Sequence, residues 1–599
     1  MCGIAGITDT QIEEKEEAIQ KMARAISHRG PDDDGFYIDR HVALGMKRLA
    51  IIDLKRGRQP ITSTDGRFLI FFNGEIYNYK ELKKELTTYN FTTNSDTEVI
   101  LAGFLKWGTE VFLRLRGMFA LAIYDTLEKR LAIARDPFGI KPLYYWERGN
   151  KIAAFSSEVK SFFALKSFKT EVNDAAVYNY LSYQYNPLEE TFFKGVYKLP
   201  PAHFLTIDLV TGVFEIKRYW KFEFRPDENL TEETAKRKVL EVVKDSVLNH
   251  MIADVPVGSF LSGGVDSAII ATLMGQKIKT FTVTFADTKG RALVSEGRKA
   301  RETAGPLGTE HTEIKVSKEE YFSALPKAIY HFDEPVADPS ALGLYFLAQE
   351  ARKSVKVVLS GEGADEFFGG YNIYLEPFSR KKIAWIPKFI LKILSLLPLR
   401  GSNYAKRAIS RLEDWYIGNA SIFTPREILK IWKGEPMSRF NLGALYEEVK
   451  HLSDSEKMQY IDLNTWLIGD ILAKADKMTM AHSLELRVPF LDREVAKLAE
   501  ALPPKLKWKE GITKYILREA FKNILSESTR KRKKLGFPTP IAGWLDDEVF
   551  KEILSNEYIN RKFDIKLIQN LFKNPKENAR KIYLLLCLAI WYDEFIHKS

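Results

Sequence analysis

Apolar and polar positions follow two different rhythms along the chain. From Val42 to about Tyr219 they alternate or form short apolar blocks, as in RFLIFFNGEIYN, FALAIYDTLEKRLAIARD and KPLYYWERGNKIAAFSSE. Such runs predict strands, and the Gly149-Asn150 pair in the last predicts a tight hairpin. This half reads as stacked sheets with a few helices. After KRYWKFEFRPDENL the rhythm changes: Thr231, followed by Glu232 and Glu233, caps a predicted helix in TAKRKVLEVVKDSVLNHMI, where apolar residues recur at helical spacing. Beyond it VGSFL, TFTVTF and VKVVL alternate with helical segments, the pattern of a parallel sheet covered by helices. From about Arg380 the chain reads as mainly helical. The rhythm change puts a domain boundary between Phe222 and Leu230, giving domains 1–222 and 230–599.

Length agrees, since 599 residues exceed one hydrophobic core. With 45% hydrophobic and 28% charged residues and no low-complexity tract, most of the chain is expected to fold. Cys2 and Cys587 are the only cysteines, which excludes a disulfide framework, and Cys587 in KIYLLLCLAIW reads as a buried thiol. The first residues lack a basic segment leading into an apolar one, which predicts a cytoplasmic protein. WIPKFILKILSLLPLR, from Trp385, is too short and too charged to span a bilayer. It reads as an amphipathic peripheral helix, with membrane contact the lesser alternative, so no membrane partner is expected. The net charge of +10 is spread along the chain apart from RKRKK at Arg530–Lys534, and no nucleic-acid motif accompanies it, so no nucleic-acid partner is expected.

Chemistry enters at VPVGSFLSGGVDSAII. A predicted strand ending at Leu261 runs through Ser262, Gly263, Gly264, Val265, Asp266 and Ser267 into an apolar helix. Adjacent glycines turn the backbone tightly, aim successive N–H groups at an anion, and hand it to a helix N-terminus. No lysine follows the glycines, so this is not the loop of the usual nucleoside triphosphatases. A second Gly-rich loop follows a strand in VVLSGEGADEFFGGY, with Ser360, Gly361, Glu362, Asp365 and Glu366.

SGGVDS resembles the pyrophosphate loop of the N-type ATP pyrophosphatases. With that second loop, DILAKADKMTMAHSLELRVPFLD and RKKLGF, the chain resembles the glutamine-dependent asparagine synthetases over nearly its whole length. The resemblance implies a doubly wound parallel α/β domain with a helical extension, holding ATP and Mg²⁺. It assigns Leu261, Val283 and Gly361 to adenosine, and Ser262, Gly263, Gly264, Ser267 and Ser360 to the phosphates. Asp266 and Asp365 would serve the metal, Glu362 would move protons as ammonia attacks, and Lys534 would stabilise phosphate charge. Such groups suit expulsion of pyrophosphate as a carboxylate is joined to AMP.

Cys2 gains meaning beside HRGPDDDGFY, MKRLAIIDL, FNGEIYN, SDTEVI and RDPFGIKPLYY, which resemble in order the class II glutaminase domain, an αββα sandwich with an N-terminal nucleophile. Removal of Met1 would leave a Cys2 whose α-amine, with an ordinary pKa of about 7.7, serves as base beside its own thiol. By the same resemblance Asn73 and the Gly74 N–H form an oxyanion hole, Arg48 pairs with the carboxylate of glutamine, Asp96 with its amino group, and Glu75 adds to glutamine binding.

The implied reaction makes asparagine from aspartate, glutamine and ATP. HFDEPVADPSALGLY, from His331, lies where the acceptor binds and where the family varies, so amidation of another carboxylate, such as a sugar acid or a secondary metabolite, stands as the second reading. A nucleic-acid-binding protein is the third. A homodimer is compatible with the resemblance.

Overall fold

The computed structural model describes residues 2–285, 291–383, 385–397, 401–533 and 539–597. Two six-stranded antiparallel sheets stack in the first half. One runs Val196–Lys198, Tyr144–Arg148, Lys151–Ser156, Cys2–Ile7, Ala43–Arg48, Asp33–Ile38; the other runs Phe214–Arg218, His203–Asp208, Arg130–Arg135, Gly117–Asp125, Phe68–Ile76, Ile61–Thr62. Alternation makes each sheet two-faced: Ile4, Leu44, Met46, Phe71, Ala122 and Ile133 meet between the sheets. Helix Lys15–Ala25 lies on the first sheet and Asp96–Trp107 on the outer face of the second, through Val99 and Ile100 against Ile70 and Phe72. The four layers are the expected αββα sandwich. Gly149 and Asn150 both take positive φ, 57° and 59°, at the predicted hairpin.

The second half holds a five-stranded parallel sheet in the order Glu310–Val316, Lys279–Phe285, Val257–Phe260, Val357–Leu359, Glu485–Arg487. The chain leaves Val257–Phe260 toward one edge and returns on its other side at Val357–Leu359. A crevice outside the carboxyl ends of these two strands is therefore the topological switch point, and both Gly-rich loops open there. Helix Glu232–His250 begins as predicted, with Thr231 Oγ1 accepting from the Thr234 N–H at 3.3 Å.

One helix runs further than its sequence suggests. Gly305 and Pro306 weaken the expectation of a helix before Leu307, yet helix Arg291–Leu307 includes both. Pro306 sits in the last turn and cannot donate there, and the helix stops one residue on, where Gly308 at φ +62° closes the end with its N–H on the Gly305 carbonyl at 3.0 Å.

Helix Asp174–Tyr183 belongs to the first half by sequence but is buried among C-terminal elements: Tyr180 donates to the Leu584 carbonyl at 3.0 Å and Asn179 to that of Ser438 at 3.0 Å. One hydrophobic cluster runs through both halves, from Ala5 to Phe595. Cys587 is fully buried in it, as predicted.

Candidate active sites

Strand pairing assembles the first site. Cys2 opens the central strand of its sheet opposite Arg48, and the Cys2 nitrogen donates to Asn73 Oδ1 at 2.9 Å across the sandwich. That bond commits the amide oxygen of Asn73 and leaves its Nδ2, fully buried, with no hydrogen-bond partner. A buried donor kept unpaired is disfavoured unless something else meets it, which suits an oxyanion site. Gly74 follows because a Cβ there would lie 2.1 Å from the Met118 carbonyl oxygen. Burial pushes the Cys2 thiol up, against the opposing pull of the N-terminal positive charge, the Leu49 backbone and Arg48. A thiol held protonated needs a base before it can attack.

Arg48 and Asp96, expected to bind glutamine, are fixed by the backbone. Arg48 donates to the carbonyls of Asp53 at 3.0 Å, Ile52 at 3.2 Å and Leu54 at 3.4 Å. Asp96 begins its helix under the Ser95 cap and accepts from the N–H groups of Thr97 at 2.9 Å and Ile76 at 3.0 Å. Burial nonetheless raises Asp96 to about 6. Glu75, two residues from Asn73 on the same strand, is raised well above the carboxylate range by burial and by Glu485, and its Oε2 lies 3.4 Å from Arg487 Nη2.

The second site is a cleft of about 900 Å³ at the switch point. Ser262 Oγ meets Ser267 Oγ at 3.1 Å and accepts from the Gly264 N–H at 3.3 Å, closing the first loop on itself. Gly263 takes φ +73° and abuts the Lys299 backbone, where a Cβ would come within 2.7 Å. The two loops touch: a Cβ on Gly361 would lie 2.8 Å from that of Asp266. Leu261 and Val283 are buried in the cleft wall, with the Leu261 N–H on the Phe281 carbonyl at 2.9 Å. Ser360 and Glu362 line the cleft, and Glu362 Oε2 is buried without a hydrogen-bond partner.

Asp266 and Asp365 converge on one point, which Lys514 Nζ occupies at 2.6 and 2.7 Å. Lys299, Arg518, Arg532 and Lys533 surround the same notch beside the first Gly-rich loop. Lys534 lies outside the described residues. Lys514 was not legible as a site residue: ITKYILREAF reads as an ordinary helix start, and only the fold brings it to the two aspartates. Glu366 was visible in the second loop, but not its setting: burial, then Asp365, raises it to about 7, and the Tyr371 hydroxyl donates to it at 2.7 Å.

Of the charged residues in DILAKADKMTMAHSLELRVPFLD, only Lys474 lines the cleft, where it joins Asp338, Ser340 and Asp470. Asp476, Glu485 and Arg487 turn toward the first site. Asp476 pairs with Arg29 at 2.8 Å, and Arg29 in turn donates to the Cys2 carbonyl at 3.2 Å. Lys477 pairs with Asp333 at 2.5 Å. Arg487, fully buried, donates from Nε to Glu485 at 2.5 Å and from Nη1 to the His250 and Ile252 carbonyls at 2.8 and 2.7 Å, while its own carbonyl accepts the Ser360 N–H at 2.9 Å. Asp254, two residues beyond Ile252, accepts the Asp53 N–H at 2.8 Å, and the Asp53 carbonyl holds Arg48. One buried arginine thus joins the switch-point cleft to both sides of the Cys2 site.

Known proteins carry the same two parts. Residues 1–220 match the model of a glutamine amidotransferase domain, and residues 238–593 match that of asparagine synthase. A glutamine-hydrolysing asparagine synthetase of Bacillus subtilis is 43% identical, covering 100% of this chain and 97% of its own. A putative glutamine-hydrolysing asparagine synthetase of Mycobacterium tuberculosis is 38% identical over 100% of this chain and 98% of its own. A protein of Gibberella zeae named as an amidase is 29% identical over 90% of this chain and 87% of its own.

Proposed function

The chain belongs to the asparagine synthase family, and from that premise we propose that it forms L-asparagine from L-aspartate, with nitrogen from glutamine and activation by ATP. The observation that carries the reading is the pairing, in one molecule, of a Cys2–Asn73 site with a Gly-rich cleft whose two aspartates meet at one cation position.

At the first site, loss of Met1 frees the Cys2 amine, which takes the thiol proton as sulfur attacks the glutamine amide carbon. Asn73 Nδ2 and the Gly74 N–H receive the oxyanion; ammonia leaves, and water releases glutamate from the thioester. Arg48 and Asp96 hold the carboxylate and amino group of glutamine.

At the second site, a side-chain oxygen of aspartate attacks the α-phosphorus of ATP, forming a β-aspartyl-adenylate and expelling pyrophosphate. The Ser262–Ser267 loop, Lys514, Lys533 and, by the family match, Lys534 receive the departing charge. Asp266 and Asp365 fit a hard cation: they converge on one point, and Asp266 Oδ1 is buried without a hydrogen-bond partner. Mg²⁺ bound there would neutralise phosphate charge, with Lys514 giving up its place between the carboxylates. Ammonia then attacks the acyl carbon, Glu362 takes its proton, and AMP leaves.

The test is pyrophosphate release from Mg-ATP and glutamine with and without aspartate, with asparagine followed in the same tube. Aspartate-dependent pyrophosphate matched one-for-one by asparagine is expected. Glutamine hydrolysis with no response to aspartate would refute aspartate as acceptor and direct the search to another acid.

A further inference from the structure

One strongly apolar surface lies outside both sites. Helices Lys388–Leu396 and Ser402–Ile409 pack on each other, burying Leu391 and Ala405, and neither residue joins the protein's main hydrophobic clusters. Phe389, Ile393 and Leu396, at i, i+4 and i+7, are 66%, 56% and 78% exposed, and Trp385 just ahead is 80% exposed. Eight of the twenty large apolar side chains exposed among the described residues fall between Phe378 and Leu397, so they form a patch rather than a scatter.

Charge narrows the occupant. Between Glu376 and Glu413 the sequence carries nine Lys or Arg and no Asp or Glu. At the base, Glu376 lies 2.9 Å from Arg407 and 3.4 Å from Arg380, and both arginines stack over Trp415. Lys388, Lys392 and Lys406 have no acidic partner among the described residues and rim the apolar face. A second copy would bring two equally cationic hairpins together. Nucleic acid would answer the lysines but leave a broad aliphatic face in water. An anionic lipid surface answers both, with apolar side chains entering the acyl boundary, lysines on the headgroups and a tryptophan at the interface.

We propose that this hairpin docks the protein reversibly onto an anionic bilayer. The first helix has nine residues and is about 13 Å long, so it lies in the membrane plane, and no described helix is long and apolar enough to cross. The proposal is independent of which acid the cleft amidates.

The test uses the full chain and phosphatidylcholine vesicles with and without phosphatidylglycerol. Binding is expected only with phosphatidylglycerol. It should fall about tenfold or more in Phe389→Ser/Ile393→Ser and by a smaller factor in Lys388→Gln/Lys392→Gln or at raised salt. These side chains are exposed, so thermal midpoint and pyrophosphate release should not move. Brominated lipid should quench wild-type fluorescence more than that of Trp385→Phe, which reads insertion directly. Three outcomes would overturn the proposal: no vesicle binding, binding undiminished in Phe389→Ser/Ile393→Ser, or a self-association that the same double variant abolishes.

Discussion

The Cys2 site and the phosphate cleft hold their charges in opposite ways. Around Cys2 the functional groups are pinned to backbone: Arg48 on three carbonyls, Asp96 on two N–H groups, Asn73 on the Cys2 nitrogen. In the cleft, side chains hold one another, and Lys514 stands between Asp266 and Asp365. Each construction suits the ligand proposed for it. A free amino acid presents a fixed set of charges that a rigid frame can anticipate, whereas a polyphosphate with its metal must displace counterions as it enters. Pre-organisation is therefore built into the first site and exchange into the second.

The sharpest way to break this comparison is to remove one nucleophile. Cys2→Ala should lower glutamine-dependent synthesis by about 10³ or more while ammonia-dependent synthesis continues. If glutamine still serves as donor, the Cys2 site is not the glutaminase. Asn73→Ala should cost about 10²–10³ in glutamine hydrolysis and nothing with ammonia. Lys514→Ala should act the other way, reducing product from either nitrogen source by about 10² while sparing glutamine hydrolysis, and Lys534→Ala should share that signature. Equal loss of glutamine hydrolysis in these lysine variants would erase the division of labour.

Arg487→Lys probes the join between the sites. It keeps the charge but not the fork that spans Glu485 and two carbonyls, so the ratio of glutamate formed to pyrophosphate released should rise by about fivefold, from glutamine cut without a waiting adenylate. An unchanged ratio would mean that the sites communicate by another route. The smallest effect concerns Asp96. Its folded-state pKa is raised to about 6, so the proton is bound more tightly in the folded protein, and the stabilising effect of protonation is lost as pH rises through 6. Glutamine KM should accordingly rise as pH falls from 7 to 5, as the carboxylate that meets the amino group is neutralised. Asp96→Asn should raise the thermal midpoint slightly at neutral pH, by relieving on the order of 1–3 kcal/mol, while weakening glutamine binding.

Much of the architecture is legible because it rests on local rules. The strand alternation through FALAIYDTLEKRLAIARD, the Thr231 cap and the Gly149-Asn150 turn each follow from a few neighbouring residues. The Gly-rich loops are equally local, since a strand, two glycines and a helix start define them without distant help. What could not be read depends on parts of the chain far apart in sequence. Lys514 reaches Asp266 across nearly 250 positions, a separation of 248 residues. Arg487 and Asp476 sit in a stretch that resembles the synthetase part, yet strand pairing and helix direction turn them toward Cys2. Helix Arg291–Leu307 runs through Gly305-Pro306 against weak local propensity and stops one residue later, where Gly308 closes it.

The central claim is that two sites of different build serve one reaction. It is tested most directly by supplying amide-¹⁵N glutamine with Mg-ATP and aspartate in the presence of excess unlabelled ammonium. The account predicts asparagine that carries ¹⁵N, formed one-for-one with pyrophosphate, and loss of that label in Cys2→Ala while unlabelled asparagine still forms. Wild-type asparagine with no ¹⁵N in it, or label retained in Cys2→Ala, would contradict it.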